Sequence, residues 1–291
     1  MKLHSYKNGP NDVEIHDDGT KIRYWRGPAK FPDHADIKIT NWCDAGCPYC
    51  FEMSTKRGKY GNIDLILRMW QNLPAGAEIA VGGGSTLDHP EILKLLEVSK
   101  LRGHICNVTV NQLHLEKNAE ILRHIVKNDL VKGIGLSVRD VAGLKGEILD
   151  YPHIVFHLIA GVHSYADFVE LRRKIPNAKC LILGYKEFGF GLKKSKDLSL
   201  LKESWRKNLP RLMTGGGVVS FDNLAIRQLN LRKYFGEEEW NSLYMGDDGE
   251  FSLYVDAVEE KFGLNSCAVE RFPIAGRNVE ECFQSLKKEV A

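Results

Sequence analysis

Cys43, Cys47 and Cys50 stand in the run Thr40-Asn-Trp-Cys43-Asp-Ala-Gly-Cys47-Pro-Tyr-Cys50-Phe-Glu52, a Cys-x3-Cys-x2-Cys spacing directly after a short β-like stretch, Ala35 to Thr40. Three thiolates this close, with Gly46 and Pro48 bending the chain between them, can converge on one metal centre. A structural zinc site wants a fourth ligand, and the next cysteine is Cys106. Three cysteines suit a 4Fe-4S cluster whose fourth iron is left open for a small molecule. A zinc knuckle completed by a distant ligand, a redox pair and chance proximity are the other readings of the cysteines alone.

The elements that must hold this loop recur along the chain. From Ala35 onward a strand-then-helix pattern repeats about six times. Ile37 to Thr40 runs into the cysteine loop, whose basic tail Lys56-Arg57-Gly58-Lys59 leads to Asn62 as a helix cap; Ile63, Ile66, Leu67, Trp70 and Leu73 then recur at helical spacing. The second strand, Glu78 to Val81, meets Gly82-Gly83-Gly84, and Pro90 opens a helix that Gly103 closes. Then follow Ile105 to Val110 with Leu115 to Val126, Ile134 to Val138 with a short helix over Leu144 to Leu149, and Ile154 to Ile159 with Tyr165 to Lys174. Cys180 to Leu183, with a helix near Leu198 to Leu209, completes the series. Repeated βα units imply a parallel sheet with helices on its outer face, an α/β fold whose functional loops follow the strands.

Two flanking segments do not follow the repeat. Residues 1–34 read as a hairpin cap, Val13 to His16 and Lys21 to Trp25 about an Asp17-Asp18-Gly19-Thr20 turn. After Pro210 the order changes. Gly215-Gly216-Gly217 reads as a hinge, followed by a strand Val218 to Phe221, a helix Leu224 to Tyr234 and a strand Phe251 to Val255, so that 211–291 form a C-terminal α+β appendage. Residues 35–210 are then the central unit. The cap and the appendage are expected to roof the cavity at the strand ends.

Composition narrows the partners. A net charge of +2 and a pI near 8.1 leave no basic surplus for a nucleic-acid backbone, and Lys193-Lys194-Ser195-Lys196 reads as a solvated loop. No run of about 18 apolar residues is long enough to span a membrane, and the N-terminus lacks the apolar core of a signal peptide. Seven cysteines, three of them clustered, do not form a disulfide framework, which fits a cytoplasmic, reducing setting. Cys106 and Cys180 fall inside strands and read as small buried hydrophobes, while Cys267 and Cys282 are too few for a second cluster.

The cysteine spacing resembles the signature of the radical S-adenosylmethionine (SAM) superfamily, and Tyr49 supplies the aromatic residue that the family places before its third cysteine. The resemblance, over about residues 35–215, implies an open partial (β/α)6 barrel. It implies a 4Fe-4S cluster on Cys43, Cys47 and Cys50 with SAM chelating the open iron, and an external electron donor such as a flavodoxin or ferredoxin. The implied reaction is reductive cleavage of SAM and removal of a substrate hydrogen atom by a 5'-deoxyadenosyl radical. Gly82-Gly83-Gly84-Ser85 is similar to the family's Gly-Gly-Glu motif at the SAM amino group, with Gly84 in place of the glutamate. Asn111 stands in a stretch similar to Thr-Thr-Asn-Gly, and Ser137 and Arg139 in one similar to Ser-x-Asp at the SAM ribose and carboxylate. The substrate is expected to be a peptide or amino-acid residue, or a nucleobase. Cys267, Tyr185 and His163 are the catalytic candidates, and His157 reads as core or outward-facing. The rival class is a non-catalytic scaffold that binds zinc.

Overall fold

At the N-terminus Val13 and Ile15 alternate with polar residues, and Gly19 takes the left-handed φ of +91° that the tight turn needs. The expected hairpin forms there with one more strand, giving a small antiparallel sheet of β1 (Lys2–Asn8), β2 (Asn11–His16) and β3 (Lys21–Tyr24). The computed structural model describes residues 1–146, 149, 151, 153–192, 198–214 and 217–290, and all statements below concern these.

The six expected strands are β4 (His34–Thr40), β5 (Glu78–Gly83), β6 (Ile105–Asn111), β7 (Gly133–Ser137), β8 (Ile154–Ala160) and β9 (Lys179–Gly184), each parallel to the next. β10 (Val219–Phe221) adds a parallel strand beside β9. At the opposite edge β11 (Ser252–Asp256) runs parallel to β4, followed by antiparallel β12 (Lys261–Gly263) and β13 (Phe272–Pro273). The result is a mixed α/β fold on a largely parallel ten-stranded sheet. Residues far apart in strand order meet. Lys186, after β9, lies with its Nζ 2.6 Å from Ser266 Oγ and 3.6 Å from the Phe51 ring centre, so the sheet curls into an open barrel.

Alternation gives the curl two chemically different faces. Ile154, Phe156 and Leu158 of β8 are buried under the helices, whereas Val155, His157 and Ile159 face the concave side and are half-buried. The helical layer comprises α1 (Ile63–Met69), α2 (Ile92–Leu101), α3 (Ala119–Lys127), α4 (Tyr165–Lys174), α5 (Leu198–Thr214) and α6 (Asn223–Leu229). Asn62 caps α1 by accepting from Leu65 N at 3.0 Å. Ser164 and Asp167 form a reciprocal capping box on α4. The expected helix over Leu224 to Tyr234 breaks at Asn230, which takes φ 56°, and continues as a 3-10 turn.

Three expectations change. Pro210 does not end the sixth helix; α5 runs on to Thr214. A proline deprives the carbonyl four residues back of its donor, and here Tyr234 Oη donates to Arg206 O at 3.3 Å instead. Of the helix expected over 144–149, residues 147 and 148 lie outside the described residues, and 144–146 are not helical. Lys193-Lys194-Ser195-Lys196 and, except for Gly217, the glycine hinge also lie outside them.

Residues 1–34 do not roof the cysteine end. They cover the other end of the barrel, where the parallel strands begin. His4 Nε2 contacts Ala75 O at 2.9 Å, just before β5; Lys21 pairs with Glu78, the first residue of β5. Arg23 Nε (2.7 Å) and Tyr6 Oη (3.1 Å) both donate to Asp33, just before β4. The reason is electrostatic: Asp33 is wholly buried and needs these donors. Among the described residues no helix is long and apolar enough to cross a membrane.

Removing Asp33 would strand the nearly buried Arg23 guanidinium. Asp33→Ala is expected to lower unfolding stability by about 3–5 kcal/mol, the usual cost of breaking a buried pair from one side, read from the denaturant midpoint; a loss below about 1 kcal/mol, the range of exposed pairs, would contradict this anchoring.

Candidate functional site

The chain leaves β4 at Thr40 and must turn at once into the cysteine loop. Thr40 Oγ1 donates to Lys59 O (3.0 Å) and accepts from Trp42 N (2.9 Å), and Cys43 N donates to Thr55 O (3.0 Å), so the loop folds back on its own basic tail. Gly46, at φ +61°, makes the bend between the first two cysteines in a conformation that strains a side chain. Cys50 O accepts from Met53 N at 3.3 Å and from Phe190 N at 3.0 Å, which ties the third cysteine to the chain beyond β9.

The loop is docked on the end of β5. Gly84 N donates to Thr40 O (2.7 Å) and Ser85 N to Trp42 O (2.8 Å). A Cβ on Gly84 would stand 2.2 Å from Trp42 O, and one on Gly83 2.4 Å from Thr40 O, whereas a Cβ on Gly82 has no atom nearer than 3.9 Å. The glycine run therefore works first as a close-approach surface for the cysteine loop. The amide N–H groups of Gly84 and Ser85 are spent inside the protein.

One cavity collects Cys43, Cys47, Cys50, Gly46, Ser54, Gly83, Gly84, Thr109, Asn111 and Ser137. Asn111 Nδ2 reaches Cys47 Sγ at 3.5 Å. Burial pushes the Cys43 and Cys47 thiols above their ordinary range, and the neighbouring thiols add to it, as expected of sulfurs that converge. No fourth thiol, imidazole or carboxylate lines this cavity.

The other expected residues are distributed unevenly. Burial and the nearby Cys47 push Tyr49 up to about 12, so its hydroxyl stays protonated. Arg139 lies over the same loop, its guanidinium 3.5 Å from Ala45 O, and Gln112 Oε1 holds its backbone N at 2.7 Å. Gly82 is near the cavity but not on its wall. Ser85 is not brought to it: its buried Oγ lies 3.0 Å from His114 Nδ1. His114 Nε2 is in turn 2.8 Å from Asp44 Oδ1, and Asp44 is also bonded to Lys117. This Ser-His-Asp series is inaccessible to substrate, with the two ring nitrogens used in the reverse sense of a hydrolytic triad.

The three catalytic candidates are not on the cavity wall. His163 is buried, its Nδ1 accepting from Ile159 N (3.0 Å) and its carbonyl from Trp205 Nε1 (2.8 Å). Tyr185 is buried, with its hydroxyl on Gly191 O (2.8 Å). Both close turns at strand ends, work for which a histidine and a tyrosine serve as hydrogen-bonded core residues. Cys267 is half-buried next to Ser266 and held through its N by Asn265 (2.7 Å). Cys106, Cys180 and Cys282 are buried, as small hydrophobes.

Sequence reading missed several groups. Thr109 shares a strand face with Asn111, two positions away, so alternation along β6 was the available signal. His157 is neither core nor outward-facing: it projects into the concave side over Gly135, where a Cβ would stand 2.3 Å from the imidazole. Burial alone takes its pKa down to about 4. Lys38 links Glu52 (2.7 Å) to Asp256 (3.0 Å) beneath the cysteine loop, and Tyr254 Oη donates to Glu52 at 3.2 Å. Their pairing across 218 residues left no mark in local sequence.

Residues 37–142, which include the loop and every wall of the cavity, match the Radical SAM superfamily. No curated protein matches the sequence. Among solved structures the fold is similar to Streptococcus suis SuiB bound to S-adenosylmethionine, with TM-score 0.63 and 12% identity over 90% of this chain and 68% of that one. It is similar to the same protein bound to the precursor peptide SuiA, with TM-score 0.62 and 12% identity over 88% of this chain and 65% of that one. A third structure of SuiB gives 0.60 and 13% identity over 88% and 66%. The chain thus spans about two thirds of the length of those proteins, and at this identity the likeness is one of fold. The family match thus identifies residues 37–142, the stretch that holds the cysteine loop and the cavity, as a radical SAM segment, and the solved structures show a similar barrel around it.

Proposed function

We propose that Cys43, Cys47 and Cys50 hold a single 4Fe-4S cluster whose fourth iron takes SAM, and that the enzyme acts on a residue of a peptide. The observation that carries the cofactor assignment is the composition of one cavity wall: three thiols, no fourth ligand among the described residues, and the neutral polar residues Thr109, Asn111 and Ser137 on the same wall. The donor set fits the group. When bound, the cluster and SAM supply reductive cleavage of the sulfonium and the hydrogen-atom abstraction that follows.

The chain's own residues have three tasks. Asn111 donates toward Cys47 and offsets negative charge on its sulfur. Gly83 keeps the wall open beside the thiols, and Arg139, whose guanidinium lies 3.5 Å from Ala45 O over the cysteine loop, is the cation we assign to a carboxylate. Below, His157 and Asn107 lie over Gly135 and Gly133 of β7, and neither makes a side-chain hydrogen bond among the described residues. With His157 neutral, this part of the wall offers uncharged donors and acceptors, which suit amide groups. SuiB, whose fold is similar, was seen with a precursor peptide, and this favours a peptide over a nucleobase. A cytoplasmic setting and an external one-electron donor belong to the same reading.

Cys43 also has Asp44 and His114 within 4.8 Å, the nearest approach to a zinc site. That group uses only one of the three clustered cysteines, its carboxylate is engaged by Lys117 and its imidazole by Ser85. The match of residues 37–142 to the Radical SAM superfamily favours the enzyme over a non-catalytic scaffold.

The direct test is anaerobic reconstitution with iron and sulfide, dithionite reduction and measurement of 5'-deoxyadenosine released from SAM. Release that depends on Cys47 supports the assignment; a colourless protein with stoichiometric zinc overturns it. Gly84→Ala is expected to lose most of its iron on reconstitution because the added carbon displaces Trp42, while Gly82→Ala keeps it. Equal iron in both would show that the close approach does not position the cysteines. An imidazole NMR titration should find His157 neutral down to about pH 4. Its folded pKa is below the unfolded value, so the contribution it makes to stability is complete above about pH 6.5 and is lost as pH falls toward 4. Gly135→Ala should push the ring out and raise that pKa; an unshifted titration near 6.5 in the parent protein would remove His157 from the wall.

A further inference from the structure

The loop that backs the cysteines carries a charge pattern the cavity does not use. Lys56, Arg57 and Lys59 are exposed, and none of the three makes an ion pair among the described residues. Two further lysines near the cysteine loop are neutralised: Lys38 by Glu52 and Asp256, Lys117 by Asp44 and Asp88. The acids of the cysteine loop, Asp44 and Glu52, are therefore already engaged by these inner lysines. Met53, 56% exposed, and Tyr60, 43% exposed, flank the three cations with apolar surface.

This patch is also rigidly tied to the thiols. Thr55 O accepts from Cys43 N at 3.0 Å, Thr55 N donates to Asn41 O at 3.2 Å, and Asn41 N donates to Lys59 O at 3.1 Å. A Cβ on Gly58 would stand 2.0 Å from Asn41 O, so the tail cannot lift away without losing that contact. One hydrogen bond thus separates the backbone of a surface cationic loop from the backbone of a cysteine.

We propose that the face formed by Met53, Lys56, Arg57, Lys59 and Tyr60 docks an acidic one-electron donor protein, a reduced flavodoxin or ferredoxin. The inference rests on the cluster assignment above. One electron leaves the donor's flavin or iron–sulfur centre, which is oxidised by one unit, and enters the cluster, which is reduced by one unit; no bond to the loop forms. Three unpaired cations on a chain of net charge only +2 make a local field that suits a small acidic protein. A nucleic acid would call for a longer basic stripe.

The test compares two reductants on the reconstituted full chain, the parent and the variant K56E/R57E/K59E, with a neutral variant K56S/R57S/K59S as a check on charge reversal. With dithionite, 5'-deoxyadenosine release is expected to be unchanged. With flavodoxin, flavodoxin reductase and NADPH, or with reduced ferredoxin, the rate of cluster reduction in the variant should fall about tenfold or more at low ionic strength, the low end of the gain that electrostatic steering gives. The parent should lose its advantage as salt is raised. Donor-driven rates that match the parent overturn the proposal, as does an equal loss with dithionite, which would make the loop structural. Failure of the parent with both donor proteins overturns it too. Loss of binding to a single-stranded RNA oligonucleotide with donor-driven reduction intact would assign the patch to nucleic acid instead. Failure of the cluster assignment is separately visible, as no release from the parent with dithionite.

Discussion

Two carbonyl oxygens at the end of β4 organise the site. Thr40 O and Trp42 O accept from the amides of Gly84 and Ser85 at 2.7 and 2.8 Å, and at that range there is no room for a Cβ on Gly84. The cysteine loop is thereby an extension of the β4–β5 pairing rather than a free excursion. Its thiols inherit the position of the sheet, and a site built on a sheet is held more precisely than one on a mobile loop. The same contact explains why a third glycine stands at this turn: any side chain on Gly84 would have to be accommodated against the Trp42 backbone.

Beneath the loop the structure accepts an electrostatic cost. Lys38 is almost fully buried between Glu52 and Asp256, and Asp256 also accepts from Arg271 and from the amides of Val258 and Glu259. Burying charge is unfavourable unless each group is paired and hydrogen-bonded. Lys38, Glu52 and Asp256 come from three different parts of the chain, so the network fixes the end of the cysteine loop, β4 and β11 relative to one another. The contact of Lys186 with Ser266 and Phe51 does the same across the open side of the barrel.

The two ends of the barrel are chemically distinct. At the start of the strands, Lys21, Glu78, Asp33 and Arg23 pair with one another and the small antiparallel sheet closes the opening. At the strand ends the wall is made of thiols and neutral polar groups, and its open side meets the loop after β9. A parallel sheet has all its C-terminal ends together, so whatever follows the strands collects at one mouth.

How much of this was legible differs by residue. Cys43, Cys47 and Cys50 lie within a few positions of one another, so sequence spacing alone placed their sulfurs together, and β–α periodicity located all six central strands because buried faces leave a repeating apolar mark. The Asn62 cap and the Tyr165–Lys174 helix were readable for the same reason: capping and amphipathic periodicity are local. Strands β1, β12 and β13 and the helices Glu237–Leu243 and Val279–Val290 were not seen, being short, polar or at sheet edges where the pattern is weak. His163 and Tyr185 could not be separated from site residues by sequence, since the turn of backbone that buries them depends on Trp205 and Gly191. His157 went unrecognised because a histidine between apolar neighbours reads as core, and only the curl of the sheet turns that alternate face into a wall. Sequence by itself determined which elements form and which thiols cluster, because those depend on neighbours a few residues apart. The tertiary structure alone decided which end the N-terminal sheet closes, which polar side chains face the cavity and which charges are left unpaired, because each depends on groups that meet only when distant strands are brought side by side.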